Sequence, residues 1–258
     1  MLSGVDNYVF VPDYPKPSAA LTVAGWVESD ANLVGPIINN WVKAGAIGTH
    51  GQFFIDIVPD SDGINLDLDA HIAVGPNEPI ARGPIGPNDG SLLFNFHHFA
   101  MTANGAVLSI YWDGALVTSV DYIGSINNPS PYPWLSLGGN ISADNPPLLL
   151  TPFAGELDDF AMWGRSLSGV EINAIYQAGL NSKSVAQVPP VLIVSPRLSI
   201  AKTAGGIHLS WGQNFVGFGL QSSPKLPATT WTPVPGVVNN SVVIANPSSP
   251  TFFRLVQP

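Results

Sequence analysis

The chain has 258 residues, enough for one large domain or for a medium-sized and a small one. It contains 26 Gly, 25 Pro and no cysteine, and its net charge is −9. This composition favours short strands joined by turns. It excludes disulfides, thiol catalysis and zinc sites built from cysteine, and the acidic balance disfavours nucleic-acid binding. The sequence contains no run of about eighteen apolar residues, so it predicts no membrane-spanning helix.

Charge and proline content predict two domains. All 18 acidic residues precede residue 172, whereas residues 188–258 contain four basic residues and no acidic one. Three prolines (Pro189, Pro190 and Pro196) fall in a linker that we place at residues 184–196. We therefore predict domains at residues 1–187 and 188–258, with any carboxylate chemistry in the first. The amino terminus lacks the pattern of a signal peptide, and we expect the chain to be part of a longer protein.

Alternating hydrophobic patterns predict short strands along the whole first part. Those before the closing strand fall at residues 8–11, 21–27, 36–42, 52–58, 64–72, 97–102, 106–112, 115–122 and 134–138. Residues 74–90 are rich in Pro and Gly and predict a long loop. Six further short strands between residues 197 and 255 predict a small second β-domain. The fold class is therefore all-β, and the meander spacing indicates a two-sheet antiparallel sandwich.

The last strand of the first part leads into a single helix. Strict alternation from residue 155 onward places Asp158 on one face with Phe160 and Met162. Asp159 falls on the other face. Ser168 and Glu171 form a capping box for the helix that follows, and Gly179 is placed to end it. We expect this helix to cover the end of the sandwich.

Four segments carry a family resemblance. Residues 3–9, 21–27, 96–114 and 155–176 resemble the laminin-G-like, concanavalin A-like jelly-roll modules. The resemblance implies a jelly-roll fold, and modules of this class serve as lectins, adhesion modules, glycosidases and lyases. The second part, notably residues 207–211 and 230–234, is similar to small fibronectin-III-like β-domains of bacterial secreted proteins. That likeness implies an extracellular or cell-surface spacer.

The resemblance also implies a structural calcium ion (Ca2+) near the first and last strands. The positions that match are Asp6, Asn7, Asp158 and Asp159. Because calcium takes six to eight oxygen ligands, backbone carbonyls and water would have to complete the set. In the alternative interpretation, Asp158 accepts backbone N–H groups at a strand bend and Asp6 serves a turn.

Other polar motifs predict structure rather than chemistry. His97 and His98 are adjacent on a strand and face opposite sides, so they cannot chelate a metal together. The sequence 60–63 lacks the ligand ladder of a calcium loop and predicts a hairpin turn, with Asp67 and Asp69 on an exposed face. Glycosidases of this fold typically carry a Glu-x-Asp-x-x-Glu pattern, but here residue 161 is Ala. We therefore predict no catalysis.

Sugar recognition requires aromatic rings that stack on pyranose faces. Trp41, His50, Tyr132 and Trp134 lie near predicted strand ends or in loops, and residues 127–134 form a rigid aromatic loop. We predict a non-catalytic recognition module that binds a polysaccharide or glycoprotein glycan. An adhesion or assembly subunit that binds other surface proteins is one alternative, and a polysaccharide-active hydrolase or lyase is another.

Overall fold

The computed structural model describes residues 2–3, 7–29, 33–41, 51–127, 134–142, 148–188, 196–212, 218–228, 230–245 and 250–256. The chain divides into two compact units, residues 1–191 and residues 192–258. Both units are built from antiparallel strands, so the predicted all-β fold class is confirmed. Among the described residues, no helix has the length and hydrophobicity of a membrane span.

The first unit contains fourteen strands and one α-helix within its described part. In chain order these are β1 (Leu2–Ser3), β2 (Val9–Val11), β3 (Leu21–Glu28), β4 (Gly35–Trp41), β5 (Gly51–Pro59), β6 (Asn65–Ile72), β7 (Ile80–Pro87), β8 (His97–Ala103), β9 (Val107–Trp112), β10 (Ala115–Asp121), β11 (Leu135–Leu137), β12 (Gly139–Ile141), β13 (Leu149–Pro152), β14 (Ala154–Trp163) and α1 (Gly169–Leu180). A 3₁₀ helix, Val185–Gln187, follows.

Two six-stranded sheets form the sandwich. The first sheet has the order β1-β14-β3-β8-β9-β10, and the second has the order β2-β11-β4-β5-β6-β7. Alternate residues of both sheets point inward and form one apolar core, with Val23 and Phe99 from the first sheet and Phe53 and Leu68 from the second. The hairpin predicted at residues 60–63 is present between β5 and β6.

The predicted loop at residues 74–90 is wrong in part, because β7 lies within it. This strand pairs with β6 at one edge of the second sheet. Its prolines, Pro84 and Pro87, remove two backbone donors, which an edge strand tolerates because one of its sides is unpaired. Proline content alone therefore concealed a strand.

Helix α1 begins with the predicted cap, but it does not cover the end of the sandwich as predicted. The Ser168 hydroxyl accepts from the Glu171 backbone, and the Glu171 carboxylate accepts from the Ser168 backbone N–H, which is the predicted capping box. The helix packs against the outer face of the first sheet, in a cluster with Tyr111, rather than over the end of the sandwich. Gly179 lies inside the helix, where a Cβ atom would stand 2.2 Å from the Trp26 ring.

The second unit contains two three-stranded sheets within its described part. The first sheet joins β15 (Ser199–Thr203), β16 (Gly206–Ser210) and β19 (Ser241–Ile244), and the other joins β17 (Gly219–Ser223), β18 (Thr232–Pro233) and β20 (Phe252–Val256). Leu209, Trp211 and Leu220 form its small core. The six predicted strands are thus all found, and the fibronectin-III-like assignment stays a prediction.

Candidate functional site

The two sheets of the first unit differ on their outer faces. Helix α1 covers part of the outer face of the first sheet, where Tyr176 stacks on Trp26 at 5.7 Å between ring centroids. The outer face of the second sheet carries polar and aromatic side chains in register across five of its six strands. The outer face of the second sheet is therefore the candidate site.

One line of directly paired residues crosses the second sheet from edge to edge. We call it the outer row, and its members are Phe10, Ser136, Asn39, Phe54, His71 and Ile80. The alternate residues on either side of them, such as Phe53 and Ile55, belong to the core, so the outer row points away from it. The row places two amide or hydroxyl groups between two phenylalanines.

A second line runs parallel to the outer row, two residues along each strand. Asp56 on β5 stands directly opposite Asp69 on β6, and Asp69 is paired in turn with Arg82 on β7. Directly opposed side chains on one face have Cβ atoms about 4.5–5.5 Å apart, so the two carboxyl groups are close neighbours. We call Asp56 and Asp69 the carboxylate pair.

The two members of the carboxylate pair have different partners. Asp69 uses Oδ2, which lies 3.1 Å from His71 Nε2 and 3.8 Å from Arg82 Nη1. The other ring nitrogen of His71 is 2.6 Å from Glu78 Oε1. Asp56 forms no ion pair with any described residue. One carboxylate is thus held by an imidazole and a guanidinium group, whereas the other is not.

This asymmetry has an electrostatic consequence. Burial, and then the negative charge of Asp69, raise the pKa of Asp56 to about 7, against the smaller opposing effects of His71 and Arg82. Burial alone would lower the pKa of His71, but its contacts with Asp69 and Glu78 outweigh that effect and raise it. A carboxyl group that titrates near neutrality is a mark of functional sites.

Four oxygen atoms on this face lack hydrogen-bond partners within the described part of the chain. They are Asn39 Oδ1, Ser136 Oγ, Asp56 Oδ1 and Asp69 Oδ1, and all four are buried. Asn39 is fixed by its Nδ2, which donates to the Gly139 carbonyl at 3.1 Å. Because buried polar atoms in native proteins are normally satisfied, such a group indicates a place for a ligand or for ordered water.

Aromatic rings flank these oxygen atoms. The ring of Phe54 meets His71 edge-on at 5.7 Å, and Trp41 meets the same imidazole at 6.3 Å. At the other end of the outer row, Phe10 lies 6.4 Å from Trp134. Phe10 is 40% exposed and Trp41 is 4% exposed, so Phe10 offers the larger free ring surface.

The aromatic residues predicted for binding are only partly brought together. Trp134 lies beside the Phe10 end of the outer row, and its carbonyl accepts from Asn40 Nδ2. Trp41 lies near His71 on the same sheet, largely buried. Tyr132 and His50 lie outside the described residues. Ligand contact by these four side chains stays a prediction.

The predicted calcium residues have other partners where the structure describes them. Asp158 Oδ1 accepts from the Asp159 backbone N–H at 2.8 Å, and Asp159 Oδ2 accepts from the Val185 N–H at 2.6 Å. Asn7 is exposed, and Asp6 lies outside the described residues. Within the described part, no three His, Asp or Glu side chains are grouped as a metal site requires. Asp158 thus accepts a backbone N–H at a strand bend, and calcium binding by these residues stays a prediction.

That bend also corrects the predicted alternation of β14. The pairing with β3 passes from Asp158 opposite Trp26 to Ala161 opposite Ala24, so three steps on β14 match two on β3. This is a β-bulge, and Asp159 within it has a positive φ of 51°. Leu157, Phe160 and Met162 consequently pack against the core. Asp158 therefore does not follow the alternation that placed it with the two apolar residues.

The two adjacent histidines face opposite sides, as predicted. His97 Nδ1 lies 2.8 Å from Asp113 Oδ2, and its ring stacks on Trp112. His98 lies on the helix side, where its ring meets Trp26 at 5.3 Å. Burial lowers the pKa of His98 to about 4, so this imidazole is neutral at physiological pH.

Sequence reasoning missed the residues that make the candidate site. Asp69 was expected on an exposed face, yet it is 6% exposed. Asp56, Asn39 and Ser136 were not singled out. The alternation of residues 52–58 does place Phe54 and Asp56 on one outward face, so the signal was present on β5. The cross-strand register that unites them with Asn39 and Ser136 is not visible in one sequence.

Comparison with known proteins yields distant structural relatives. The chain is similar to a heptameric SAP-like pentraxin from Limulus polyphemus (15% identity, 75% of this chain and 88% of the pentraxin, TM-score 0.53). It also aligns with the CBM40 of a Ruminococcus gnavus IT-sialidase bound to α2,3-sialyllactose (15% identity, 62% and 83% covered, TM-score 0.48). At 15% identity, the likeness to the pentraxin shows the fold alone. No curated protein sequence matches the chain.

A family model matches the sequence itself. The match extends over residues 3–173, about two thirds of the chain, and covers both six-stranded sheets and the start of α1. It includes three of the four segments on which the resemblance rested, and residues 155–173 of the fourth. The chain therefore belongs to the Laminin_G_3 family, the concanavalin A-like lectin/glucanases superfamily.

Proposed function

We propose that the first unit is a non-catalytic recognition module that binds a glycan across the outer row. One observation carries the proposal, namely the four buried oxygen atoms on this face that have no hydrogen-bond partner among the described residues and that lie beside aromatic rings. Sugars complement such a surface, because their hydroxyl groups donate hydrogen bonds while their apolar ring faces stack on aromatic side chains. Membership of a superfamily that includes lectins supports it.

Trp134 and Phe10 give the proposal a second contact region. Their rings lie 6.4 Å apart at the edge of the sheet, next to the strand that carries Ser136. A saccharide chain that lies along the outer row would meet this pair beyond β4 and β11, whose side chains Asn39 and Ser136 are buried. The unit would then recognise several sugar residues of a polymer.

Retention of the protein on a panel of polysaccharides in native gels tests this function. We expect retention on at least one glycan, and we expect it to weaken in Trp134→Ala. Trp231→Ala is the matched control, because Trp231 is likewise half-buried but belongs to the second unit. Retention on no glycan, or equal loss in both variants, would contradict the proposal.

Calcium binding by Asp6, Asn7, Asp158 and Asp159 remains part of the proposal, as a structural element of the first unit. Its support is the family resemblance and the oxygen-rich side chains at these positions. A calorimetric titration with CaCl₂ after chelation tests it. We expect one binding event that Asp158→Asn weakens, and the absence of any heat signal would contradict it.

The carboxylate pair favours hydrolysis as a second candidate function. A carboxyl group that keeps its proton near neutrality beside a carboxylate held by cations is the arrangement that glycosidases use for general acid catalysis. In that case Asp56 would protonate the glycosidic oxygen. Release of reducing ends that disappears in Asp56→Asn would establish this activity and overturn the binding-only proposal.

A further inference from the structure

We propose that the glycan recognised by the outer face carries free ammonium groups, as a polymer of non-acetylated amino sugar does, and that one such group binds between Asp56 and Asp69. The inference rests on the proposed function and names the ligand class for that same site. It depends on the chemistry of the unpartnered atoms, on the local charge and on the neighbouring aromatic rings.

The unpartnered atoms are mainly acceptors. Asn39 Oδ1, Asp56 Oδ1 and Asp69 Oδ1 only accept hydrogen bonds when the carboxyl groups are ionised, and Ser136 Oγ both donates and accepts. A ligand that satisfies them must supply several donors. An ammonium group supplies three N–H donors, whereas an acetamido group supplies one and a sugar carboxylate supplies none.

Two of these acceptors lie outside the acidic cluster. Asn39 is 1% exposed and Ser136 is fully buried, and they are paired with each other across β4 and β11. Phe54 separates Asn39 from His71 along the outer row. Oxygen atoms that need hydrogen-bond donors therefore lie on four strands, and they are not confined to the clustered carboxylates.

The charge of this face also favours a cation. The carboxylates that face the pair are Asp67 on β6 and Glu78, which precedes β7, and the cations are His71 and Arg82. Four carboxylates therefore oppose at most two positive charges. Arg82 is engaged by Asp67 at 2.9 Å, and His71 is engaged by Glu78, so neither forms an ion pair with Asp56. An acidic glycan would be repelled here.

An ammonium group would relieve the repulsion within the carboxylate pair. The half-buried Asp56 and the buried Asp69 stand in direct opposition, and their repulsion adds to the burial that raises the pKa of Asp56. The ligand charge replaces the proton of Asp56, so binding releases a proton near neutrality. Phe54, two residues away on the same face, adds an aromatic ring of the kind that attracts cations.

Calorimetry with matched oligosaccharides tests the inference. The probes are a glucosamine hexamer, the N-acetylglucosamine hexamer of equal length, and hexalysine. We expect the glucosamine hexamer to bind at least about tenfold more tightly than the acetylated one, because only its ammonium group can form a charge-assisted hydrogen bond with the carboxylate pair.

Variants separate this inference from the proposed function. Asp56→Asn should lower affinity for the glucosamine hexamer by about tenfold, whereas Asp121→Asn, an exposed aspartate on β10, should not change it. Equal affinity for both hexamers would overturn the ammonium inference and leave glycan binding intact. Binding of hexalysine as tight as that of the glucosamine hexamer would overturn the assignment to a saccharide. If no glycan binds, the proposed function itself fails.

Discussion

Replacing Asp56 by Asn should make the protein more stable at neutral and alkaline pH. The folded state raises the pKa of Asp56 from its usual 3.8 to about 7. An acid whose pKa is raised on folding binds its proton more tightly in the folded state, so ionisation destabilises the fold. That cost is absent below about pH 4 and grows as pH rises to about 7. Asn has nearly the same shape and never ionises, so it removes the cost.

The size of the effect follows from the pKa shift. About three pKa units at about 1.4 kcal/mol each give a cost of at most about 4 kcal/mol above pH 7. Urea unfolding followed by tryptophan fluorescence, at pH values from 4 to 8, measures the difference between Asp56→Asn and the parent protein. We expect this difference to be near zero at pH 4 and to favour the variant increasingly up to pH 7.

Asp121→Asn serves as the control, because Asp121 is exposed on β10 and its loss should change stability little at any pH. The reasoning would be refuted by a stability difference for Asp56→Asn that is constant from pH 4 to pH 8. It would also be refuted if the variant were the less stable protein at pH 8. Either result would mean that Asp56 is not held in a costly environment.

Three further predictions concern the helix side of the first sheet. His98 is buried with its pKa lowered to about 4, so its contribution to stability is lost as pH falls from about 6.5 to 4. The stability of His98→Phe relative to the parent protein should therefore rise over this range in urea titrations. Gly179→Ala places a Cβ 2.2 Å from the Trp26 ring and should cost about 1–3 kcal/mol in the same assay, whereas Gly205→Ala, in open space, should not. Glu171→Ala breaks the capping box with Ser168 and the contact with Arg165, so it should lower the free energy of unfolding by about 1–2 kcal/mol. An unchanged unfolding midpoint would contradict the role of the cap.

Local patterns predicted most of the fold. The alternation of residues 21–27 and 97–102, and the capping box at Ser168, follow rules that act over a few residues, and the structure matches them. Two features of the fold were not predicted, and the reasons are also local. The bulge at Asp159 adds a residue to β14, which alternation cannot register, and the prolines of β7 are tolerated only because that strand is at an edge.

The candidate site was harder to predict, because it is defined by register. Asp56 and Asp69 are 13 positions apart, and their opposition requires the hairpin to close with one particular pairing. Ser136 joins Asn39 through a pairing across nearly a hundred residues. The site depends on which residues stand opposite each other in the assembled sheet. The pattern of a single strand does not contain this information.

Nuclear magnetic resonance mapping of a bound oligosaccharide tests the central claim most directly. Amide shifts on titration with a glycan that the protein retains show which strands contact it. The account predicts shifts concentrated on β4, β5, β6 and β11, including the side-chain amide of Asn39. Shifts confined to the second unit, or to helix α1 and the outer face of the first sheet, would contradict it.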